Sequence, residues 1–260
     1  MEGAWVFEHL ELRGVQQTRY AYLAALRLRF GLPVAPALLV AAQSECAHVK
    51  RDGVRCAARL DAEGHHAAAC GAGGGFVRRH NGVVWALAAE LRRMGLQVRT
   101  EVWVEDLFEL LRSGRTREAR MDLVVHGPGG TVYLDVTCFH PFTREGQRRT
   151  HAAGGSLAAH EAWKHGRYAV RERVTQRRNT RALFVPVVAS TYGGVGDEAA
   201  DYFAGLEAEA KRSRPAYAKA RAGWLRRIVS AAAVYGAARG ILDAYAAPDG
   251  QERAHFRGRA

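Results

Sequence analysis

The chain has few of the features that mark membrane, secreted or disordered proteins. No apolar run approaches the ~20 residues that a membrane-spanning helix needs. The short run at residues 37–42 follows two prolines, Pro33 and Pro36. The first residues lack the basic start and apolar stretch of a secretory signal peptide, so we expect an intracellular protein that does not bind membranes. With 48% hydrophobic residues, the composition indicates a globular chain.

Acidic residues are also in deficit. The chain has 26 Asp and Glu against 38 Lys and Arg, which gives a net charge of +12 and a pI near 10.1. Such a charge favours a polyanionic partner, and nucleic acid is the commonest. Arginine dominates the basic residues, and its planar fork binds two phosphate oxygens at once. We therefore expect a nucleic acid, DNA or RNA, as the partner; a basic surface that serves only solubility is the alternative.

Composition divides the chain into five segments. Residues 1–43 are predicted to be helical, 44–76 to form a compact Cys/His module, 77–196 an α/β core, 197–247 closing helices and 248–260 a flexible tail. The core is expected to contain a helix at about residues 81–94, a strand at 96–104, a hairpin, a helix at 156–170 and a strand at 183–189. This order predicts a mixed β-sheet of four or more strands flanked by helices. Pro186 argues that the last of these strands lies at an edge or carries a bulge.

Two aspartates lie at mirror positions around one predicted tight turn. β-Branched residues are frequent on both sides of the glycine-rich residues 127–130, which is typical of a hairpin. If these four residues form the loop, His126 faces Thr131, and counting outwards puts Asp122 opposite Asp135. Cβ atoms of opposed residues are ~4.5–5.5 Å apart, so the carboxylates repel unless they share a proton or hold a cation. Mg²⁺ suits such a pair; two exposed carboxylates in a shifted register are the alternative.

Three of the four cysteines lie close together in sequence and near several histidines. In an intracellular protein this clustering favours metal ligation over disulfides. The candidate ligands of a closed, tetrahedral zinc site are Cys46, Cys56, His66 and Cys70. His65 could replace His66, and His48 could replace a cysteine. The spacing lacks the usual pair of cysteines two residues apart, and buried free cysteines beside incidental histidines are the alternative.

A basic run follows the Cys/His module. Arg78, Arg79, His80 and Asn81 are predicted to open the next helix, where backbone N–H groups and cations together form an anion site. A solvated helix start with Asn81 as its N-cap is the alternative.

The helix after the hairpin carries three polar residues on one face. Glu161, Lys164 and Tyr168 stand at positions i, i+3 and i+7. A lysine that projects towards two metal-binding carboxylates stabilises the charge that develops on an attacked phosphate, or helps to position water. An ordinary Glu–Lys pair within the helix is the alternative.

Taken in order, these pieces resemble the restriction-like endonuclease region of non-LTR retrotransposons, a divergent branch of the PD-(D/E)XK nuclease superfamily. The resemblance covers roughly residues 22–240. Its pieces are RLRFGLP from Arg27 to Pro33, the Cys/His cluster, GGGFVRRHN from Gly73 to Asn81, Glu101, RMD from Arg120 to Asp122, LDVT from Leu134 to Thr137, Ala153-Gly154, Glu161 with Lys164 and Tyr168, FVP from Phe184 to Pro186, and YGG from Tyr192 to Gly194.

The resemblance implies roles for individual residues. The implied catalytic residues are Asp122, Asp135, Lys164, Glu101 and His80, with Mg²⁺ on the two aspartates. The implied nucleic-acid contacts are Arg78, Arg79, Asn81, Arg120 and Tyr168. Lys164 would replace the lysine that ordinary members carry two residues after the second acid, where Thr137 stands here. Met121 occupies the place of the usual proline.

The leading prediction is therefore a Mg²⁺-dependent DNA endonuclease with a structural zinc site. The chain is too short for a polymerase domain in addition to this region, and no Tyr-x-Asp-Asp motif occurs. We expect an endonuclease unit separated from its reverse transcriptase, in a mobile element or a host gene, with a nuclear location implied by the family and the partner. The first alternative is a nucleic-acid-binding protein that retains the fold without catalysis. The second is a protein-interaction module stapled by zinc.

Overall fold

A five-stranded mixed sheet with helices packed against it forms the centre of the computed structural model. The structure describes residues 19–34, 45–110, 113–127, 129–143, 145–150, 155–170, 183–213 and 223–245. Within these ranges the helices are α1 (Arg19–Arg29), α2 (His65–Ala69), α3 (Gly75–Arg93), α4 (Leu157–Arg167), α5 (Asp197–Ser213) and α6 (Trp224–Tyr245). The strands are β1 (Gln97–Leu110), β2 (Thr116–Gly127), β3 (Gly130–Phe139), β4 (Tyr168–Val170) and β5 (Leu183–Ser190).

The strands lie in the order β4-β1-β2-β3-β5. Neighbouring strands are antiparallel except for β3 and β5, which are parallel. β5 is therefore an edge strand, as Pro186 predicted, because proline cannot donate a hydrogen bond to a neighbouring strand. The predicted α/β class, a mixed sheet of four or more strands with flanking helices, is confirmed. Within the described ranges, no helix has the length and apolar character to cross a membrane.

The predicted start of α3 is wrong. The helix begins at Gly75, after Gly74 with a left-handed φ of 68°, and not at about residue 81. A glycine can adopt this conformation without strain, so the glycine run starts the helix without a side-chain cap. The basic run from Arg78 to Asn81 consequently lies inside the helix, and Asn81 is not its N-cap.

The predicted end of α4 is also wrong. The helix ends at Arg167, and the next three residues form β4, which pairs with β1 at the positions Leu107–Val170 and Glu109–Tyr168. The exposed edge of β1 captures these residues, since an unpaired strand edge offers a row of free backbone groups. In the segment predicted to be helical at residues 1–43, α1 is described; residues 1–18 and 35–43 and the predicted tail at 248–260 lie outside the described residues.

The main core lies between the sheet and the helices α3, α5 and α6. Each of these elements contributes large, fully buried side chains: Leu87 and Leu91 of α3, Leu123 of β2, Leu134 of β3, Phe203 of α5 and Leu225 of α6. Full burial of a side chain of this size stabilises the fold by roughly 1.5–3 kcal/mol. The packing fixes α3 across the sheet and so positions the residues along that helix.

Helix α6 is buried on nearly all sides. Its first half packs in the main core, while its second half joins α1 and the Cys/His module in a second core with Val234, Ala237 and Ile241. A helix that is mostly apolar needs partners on most sides, and in α6 only Arg226 and Arg227 are exposed. It therefore connects the sheet layer to the Cys/His module.

In a regular strand, side chains alternate between the two faces of the sheet. This alternation is interrupted in β1 at Glu101 and in β2 at Asp122. On β2, Leu123 packs in the main core, whereas Met121 packs in a separate cluster. Residues two apart share a face in a regular strand, so the strand changes faces between them. On β1 the change coincides with Glu101, whose φ of 56° is rare for any residue except glycine. The distortion lies beside the first of the two predicted acids.

Candidate active site and metal centre

The hairpin of β2 and β3 brings Asp122 and Asp135 together. The predicted register holds from the turn to the pair Leu123–Leu134, after which the ladder ends. The next position on both strands puts Asp122 opposite Asp135. The charge of the Asp122 carboxylate acts to raise the pKa of Asp135, so the two carboxyl groups lie close enough to interact.

Asp122 is held from two sides. Its Oδ2 accepts hydrogen bonds from the Val136 N–H at 2.6 Å and from His80 Nε2 at 3.1 Å. The other ring nitrogen of His80, Nδ1, lies 3.1 Å from Asn81 Oδ1. Both nitrogens thus face oxygen acceptors, an arrangement that suits the doubly protonated imidazolium. Helix α3 therefore supplies a cation to the first acid.

Asp135 is held by the helix on the other side of the hairpin. Lys164 of α4 donates to Asp135 Oδ2, and burial together with the charge of Asp135 raises the pKa of the nearby Tyr168 hydroxyl. Helix α4 begins at its N-cap Ser156, whose Oγ accepts from the Ala159 N–H at 3.1 Å. Asp122, Asp135 and Lys164 are each no more than 8% exposed, so the ion pair is screened from water.

These contacts move the pKa values of the site in different directions. Burial raises the pKa of Asp135 to about 6; the ammonium of Lys164 opposes this rise and the carboxylate of Asp122 adds to it. Burial also acts to raise the pKa of Asp122, but the hydrogen bond and charge of His80 outweigh burial and hold it below its ordinary value. Burial acts to lower the pKa of His80, but Asp122 outweighs it and raises the value to about 9. At neutral pH His80 is therefore cationic.

The predicted contact of Arg79 with nucleic acid is contradicted by its burial. The side chain is 3% exposed, lies over the Phe76 ring at 5.2 Å and donates from Nη1 to the Ala68 carbonyl at 3.3 Å. Gly236 of α6 lies so close that a Cβ there would come within 2.9 Å of the Arg79 Cα. Arg79 therefore connects α3 to the Cys/His module, and its guanidinium group lies away from the surface.

The other predicted basic contacts lie at the surface. Arg78 forms an ion pair with Asp243 at 2.8 Å, and its side chain is about half exposed. Arg120 forms an ion pair with Glu101 at 2.8 Å and is also about half exposed. Glu101, which was predicted to add a carboxylate to the acids, lies on β1 between Thr100 and Val102, whose register partners on β2 flank Asp122, and its side chain pairs with Arg120.

Glu161 has a different role from the one that its spacing predicted. Its side chain is buried, and Oε1 accepts a hydrogen bond from the Glu198 N–H at 3.1 Å, in the first turn of α5. Burial raises the pKa of this carboxyl group. Glu161 therefore caps α5, and the predicted pairing with Lys164 within the helix is wrong because Lys164 binds Asp135.

The sequence analysis did not predict an ion cluster around the buried Glu109, at the far end of the sheet. Glu109 of β1 is 3% exposed and accepts hydrogen bonds from Arg117 Nε and Arg167 Nε, both at 2.7 Å. Burial acts to raise the pKa of Glu109, but the two guanidinium groups outweigh burial and lower it. The predicted strand ended at residue 104, and no local pattern relates Glu109 to an arginine 58 residues later. The cluster ties α4 to β1 and β2.

The four predicted zinc ligands converge on one point. The ligand atoms of Cys46, Cys56, His66 and Cys70 all lie within 4.8 Å of one another. Cys46 and Cys70 Sγ are 3.9 Å apart, Cys70 and Cys56 Sγ 3.7 Å, and Cys56 Sγ and His66 Nε2 3.5 Å. Zn–S and Zn–N bonds of ~2.3 and ~2.0–2.1 Å in a tetrahedron put ligand atoms about 3.6–3.8 Å apart. The cluster can therefore hold a metal ion such as zinc.

A short hairpin explains how cysteines ten residues apart share one site. Isolated bridges join Glu45 to Arg59 and Val49 to Arg55, and the Cys46 N–H donates to the Ala58 carbonyl at 2.8 Å. Cys56 sits on the returning strand of this hairpin, where its N–H donates to His48 O at 2.8 Å. The hairpin therefore brings Cys46 and Cys56 together in space, although they are farther apart in sequence than the usual cysteine pair of a zinc site.

The structure separates the three histidines of the module. Asp61 fixes α2 by accepting from the backbone N–H groups of His65 and His66, at 2.7 and 2.8 Å, and so aims the His66 ring at the cysteines. His65 faces away, with Nδ1 3.1 Å from His140 Nε2 and its ring stacked on Phe142 at 4.3 Å. His48 Nε2 donates to the Gly240 carbonyl at 3.0 Å. The converging ligand atoms therefore belong to the four-residue set and include neither His65 nor His48, although the His48 side chain also interacts with Cys70.

The module packs directly against α6. The Ala47 N–H donates to the Ala244 carbonyl at 2.8 Å, and the Tyr245 hydroxyl donates to the Asp61 carbonyl. The Gly64 backbone approaches the Ile241 side chain, since a Cβ at Gly64 would lie 3.2 Å from it. The Cys/His cluster is thus attached to the same helix that packs against α3.

Compared with known proteins, the chain matches no family model and no curated protein sequence.

Proposed function

We propose that this chain is a Mg²⁺-dependent DNA endonuclease of the PD-(D/E)XK type, similar to the endonuclease region of non-LTR retrotransposons and separated from its reverse transcriptase. The observation that carries the proposal is the opposed pair Asp122–Asp135 with Lys164 on the second acid. A net charge of +12 supports a polyanionic substrate. DNA as substrate makes the nucleus the expected location.

Asp122 and Asp135 are the residues that would hold Mg²⁺. Two carboxylates from neighbouring strands supply what this ion usually takes from a protein, because water and substrate phosphate complete its shell. The charge of Asp122 raises the pKa of Asp135, and a cation between the two would relieve that repulsion. When bound, the metal polarises the phosphoryl oxygen and activates a water molecule.

The protein's own cations act on the phosphate. The ammonium of Lys164, held at Asp135, can neutralise the charge that develops on the attacked phosphoryl group. His80 is cationic at pH 7 and can donate a proton from Nε2 to the leaving oxygen. Arg78, Arg120 and Asn81 are the proposed contacts to the backbone of the nucleic acid, and the Cys/His cluster is a structural zinc site.

Plasmid nicking tests the proposal. Purified protein should convert supercoiled plasmid to nicked or linear DNA with Mg²⁺ or Mn²⁺ but not with EDTA. Asp122→Asn and Asp135→Asn should each lower the rate at least about 100-fold, since a metal contributes several kcal/mol to such a reaction. Asp201→Asn, on the exposed side of α5, is the matched control and should cut normally. Cutting by the double variant Asp122→Ala/Asp135→Ala at the parent's rate, or in EDTA, would refute the assignment.

The alternative is a nucleic-acid-binding protein that retains the nuclease fold without catalysis. It is favoured by the burial of both acids and by the engagement of Asp122 with His80 and of Asp135 with Lys164. This protein would bind DNA with a steep salt dependence, from phosphate neutralisation. It would cut neither plasmid nor oligonucleotide with either metal, and Asp122→Asn would bind DNA as the parent does.

A further inference from the structure

Three tryptophans lie at the surface of the protein. Trp85 is 67% exposed, Trp103 55% and Trp163 49%, while the remaining tryptophan in the described ranges, Trp224, is partly buried. Tryptophan carries a large apolar surface that is usually covered, so exposed tryptophan rings indicate a surface that binds a partner.

Each exposed tryptophan is a close neighbour of a residue in the acid site. Trp85 follows Asn81 by four residues on α3 and so shares its helix face. Trp103 on β1 is the register partner of Arg120, which lies two residues before Asp122 on β2. The three rings stand on α3, β1 and α4, three of the elements around the acids.

Trp163 directly precedes Lys164, and both are in α4. The Lys164 Nζ lies 5.4 Å from the centre of the Trp163 ring, and the Arg167 Cζ lies 5.0 Å from it. The ion pair of Lys164 with Asp135 therefore connects this ring to the second acid through a single side chain.

Positive charge accompanies two of the three rings. The Arg120 Cζ lies 5.9 Å from the Trp103 ring centre, and Arg167 is stacked on Trp163. Glu109 holds Arg167 in place and is shared with Arg117, so two guanidinium groups face one carboxylate and an excess of positive charge remains. A flat apolar ring beside a fixed cation matches a nucleotide, which joins a flat base to a phosphate.

We propose that Trp85, Trp103 and Trp163 are stacking platforms for unpaired bases, so that the substrate class is single-stranded or locally opened DNA. The inference rests on the proposed function, which places the DNA backbone at Asp122 and Asp135. In a closed duplex, bases stack on one another and present only their edges in the grooves. A ring face reaches a base face only when that base is unstacked, and aromatic side chains bind splayed bases in this way.

The test measures binding in EDTA, so that no cutting occurs. Three fluorescently labelled DNAs are compared: an oligothymidylate, a matched duplex of the same length, and that duplex with a central unpaired stretch. The first and third should bind more tightly than the matched duplex and quench the tryptophan emission of the protein. Trp163→Ala and Trp103→Ala should each weaken binding to the oligothymidylate between about 5-fold and 100-fold, the range for the loss of one stacked base.

Two substitutions serve as controls. Trp163→Phe keeps an aromatic face and should retain most of the affinity that Trp163→Ala loses. Trp224→Phe removes the partly buried tryptophan of α6, and neither the affinity nor the quenching should change.

Failure of the inference and failure of the nuclease proposal give different results. Quenching and preference for unpaired DNA in a protein that never cuts would support the platforms and refute the nuclease. Equal affinity for the matched and opened duplexes, emission unchanged by any DNA, or alanine variants that bind as the parent does would each overturn the platforms. None of these three results bears on whether the chain cuts plasmid.

Discussion

Lys164 of α4 reaches across the hairpin to Asp135 of β3, and both side chains are almost completely buried. A buried ion pair is costly to break from one side, since the remaining charge loses its partner while it stays away from water. The pair therefore couples the position of α4 to the hairpin, and the coupling energy between Lys164 and Asp135 can be measured.

We expect Lys164→Met and Asp135→Asn each to lower the free energy of unfolding by about 3 kcal/mol. The double variant should lose clearly less than the sum, because it leaves neither charge alone. Urea denaturation of the four proteins at pH 8, above the pKa of about 6 of Asp135, gives the coupling energy. Strictly additive losses would contradict the buried pair.

A second prediction concerns the titration of His80. Its pKa is raised from 6.5 to about 9, so its pairing with Asp122 stabilises the fold fully below pH 6.5, and this stability is lost as the pH rises through 9. The contribution is about 3 kcal/mol. In Asp122→Asn the burial of His80 remains but the carboxylate is gone, so the pKa of His80 should fall below 6.5.

NMR of the histidine ring nitrogens measures that change directly. Glu198→Gln is the matched control, because Glu198 pairs with a different histidine, His165, at 2.8 Å. It should leave the titration of His80 where it is. A pKa of His80 that stays near 9 in Asp122→Asn would show that Asp122 is not its partner.

A third prediction separates two adjacent histidines. Elemental analysis should find about one zinc per chain, as expected for a single four-ligand site. His66→Ala should lose the metal, whereas His65→Ala should keep it, because His65 faces Phe142 and not the cysteines. Removing the metal should unfold the module, since the binding energy of such a site is largely folding energy. Equal zinc content in the two variants would contradict the assignment.

A fourth prediction compares two glycines of α6. Gly236→Ala should lower the free energy of unfolding by at least about 1–3 kcal/mol, because its Cβ would meet the Arg79 backbone at 2.9 Å. Gly240→Ala has open space around its Cβ, and alanine favours a helix over glycine by about 1 kcal/mol, so it should be neutral or stabilising. Thermal denaturation of the two variants measures the difference. Equal stability would mean that α3 and α6 are farther apart than described.

The opposition of Asp122 and Asp135 could be predicted because it depends on local rules alone. A tight glycine-rich turn fixes the register, and the two-residue period of strands then carries the count outwards from His126 and Thr131. The convergence of the four Cys/His residues was predictable for a similar reason, since few groups other than a metal bring three cysteines and a histidine of one short segment together.

The partners of these residues could not be predicted in the same way. Arg79 stands in a basic run that reads as exposed, and the Gly236 that allows its burial is far away in sequence. Glu161 and Lys164 have the spacing of a helical ion pair, yet tertiary contacts from Glu198 and Asp135 outcompete it. The periodicity of the sequence predicts a helix for the residues of β4. They form a strand because they pair with the free edge of β1. These three errors each concern a contact between residues distant in sequence, whereas the wrong start of α3 arose locally, from the glycine run before Gly75.

The packing of the Cys/His module on α6 has a consequence for the timing of biogenesis. His48 and its acceptor Gly240 are 192 residues apart, so the surface that covers the module is synthesised long after its four ligands. Protein synthesis adds about 5–20 residues per second. For roughly ten seconds or more the ligands are thus available to a metal while the side of the module that α6 will cover is still open to water. In the proposed zinc site, metal binding can therefore precede completion of the core. A chain that has already bound zinc then presents a preformed surface on which α6 can pack.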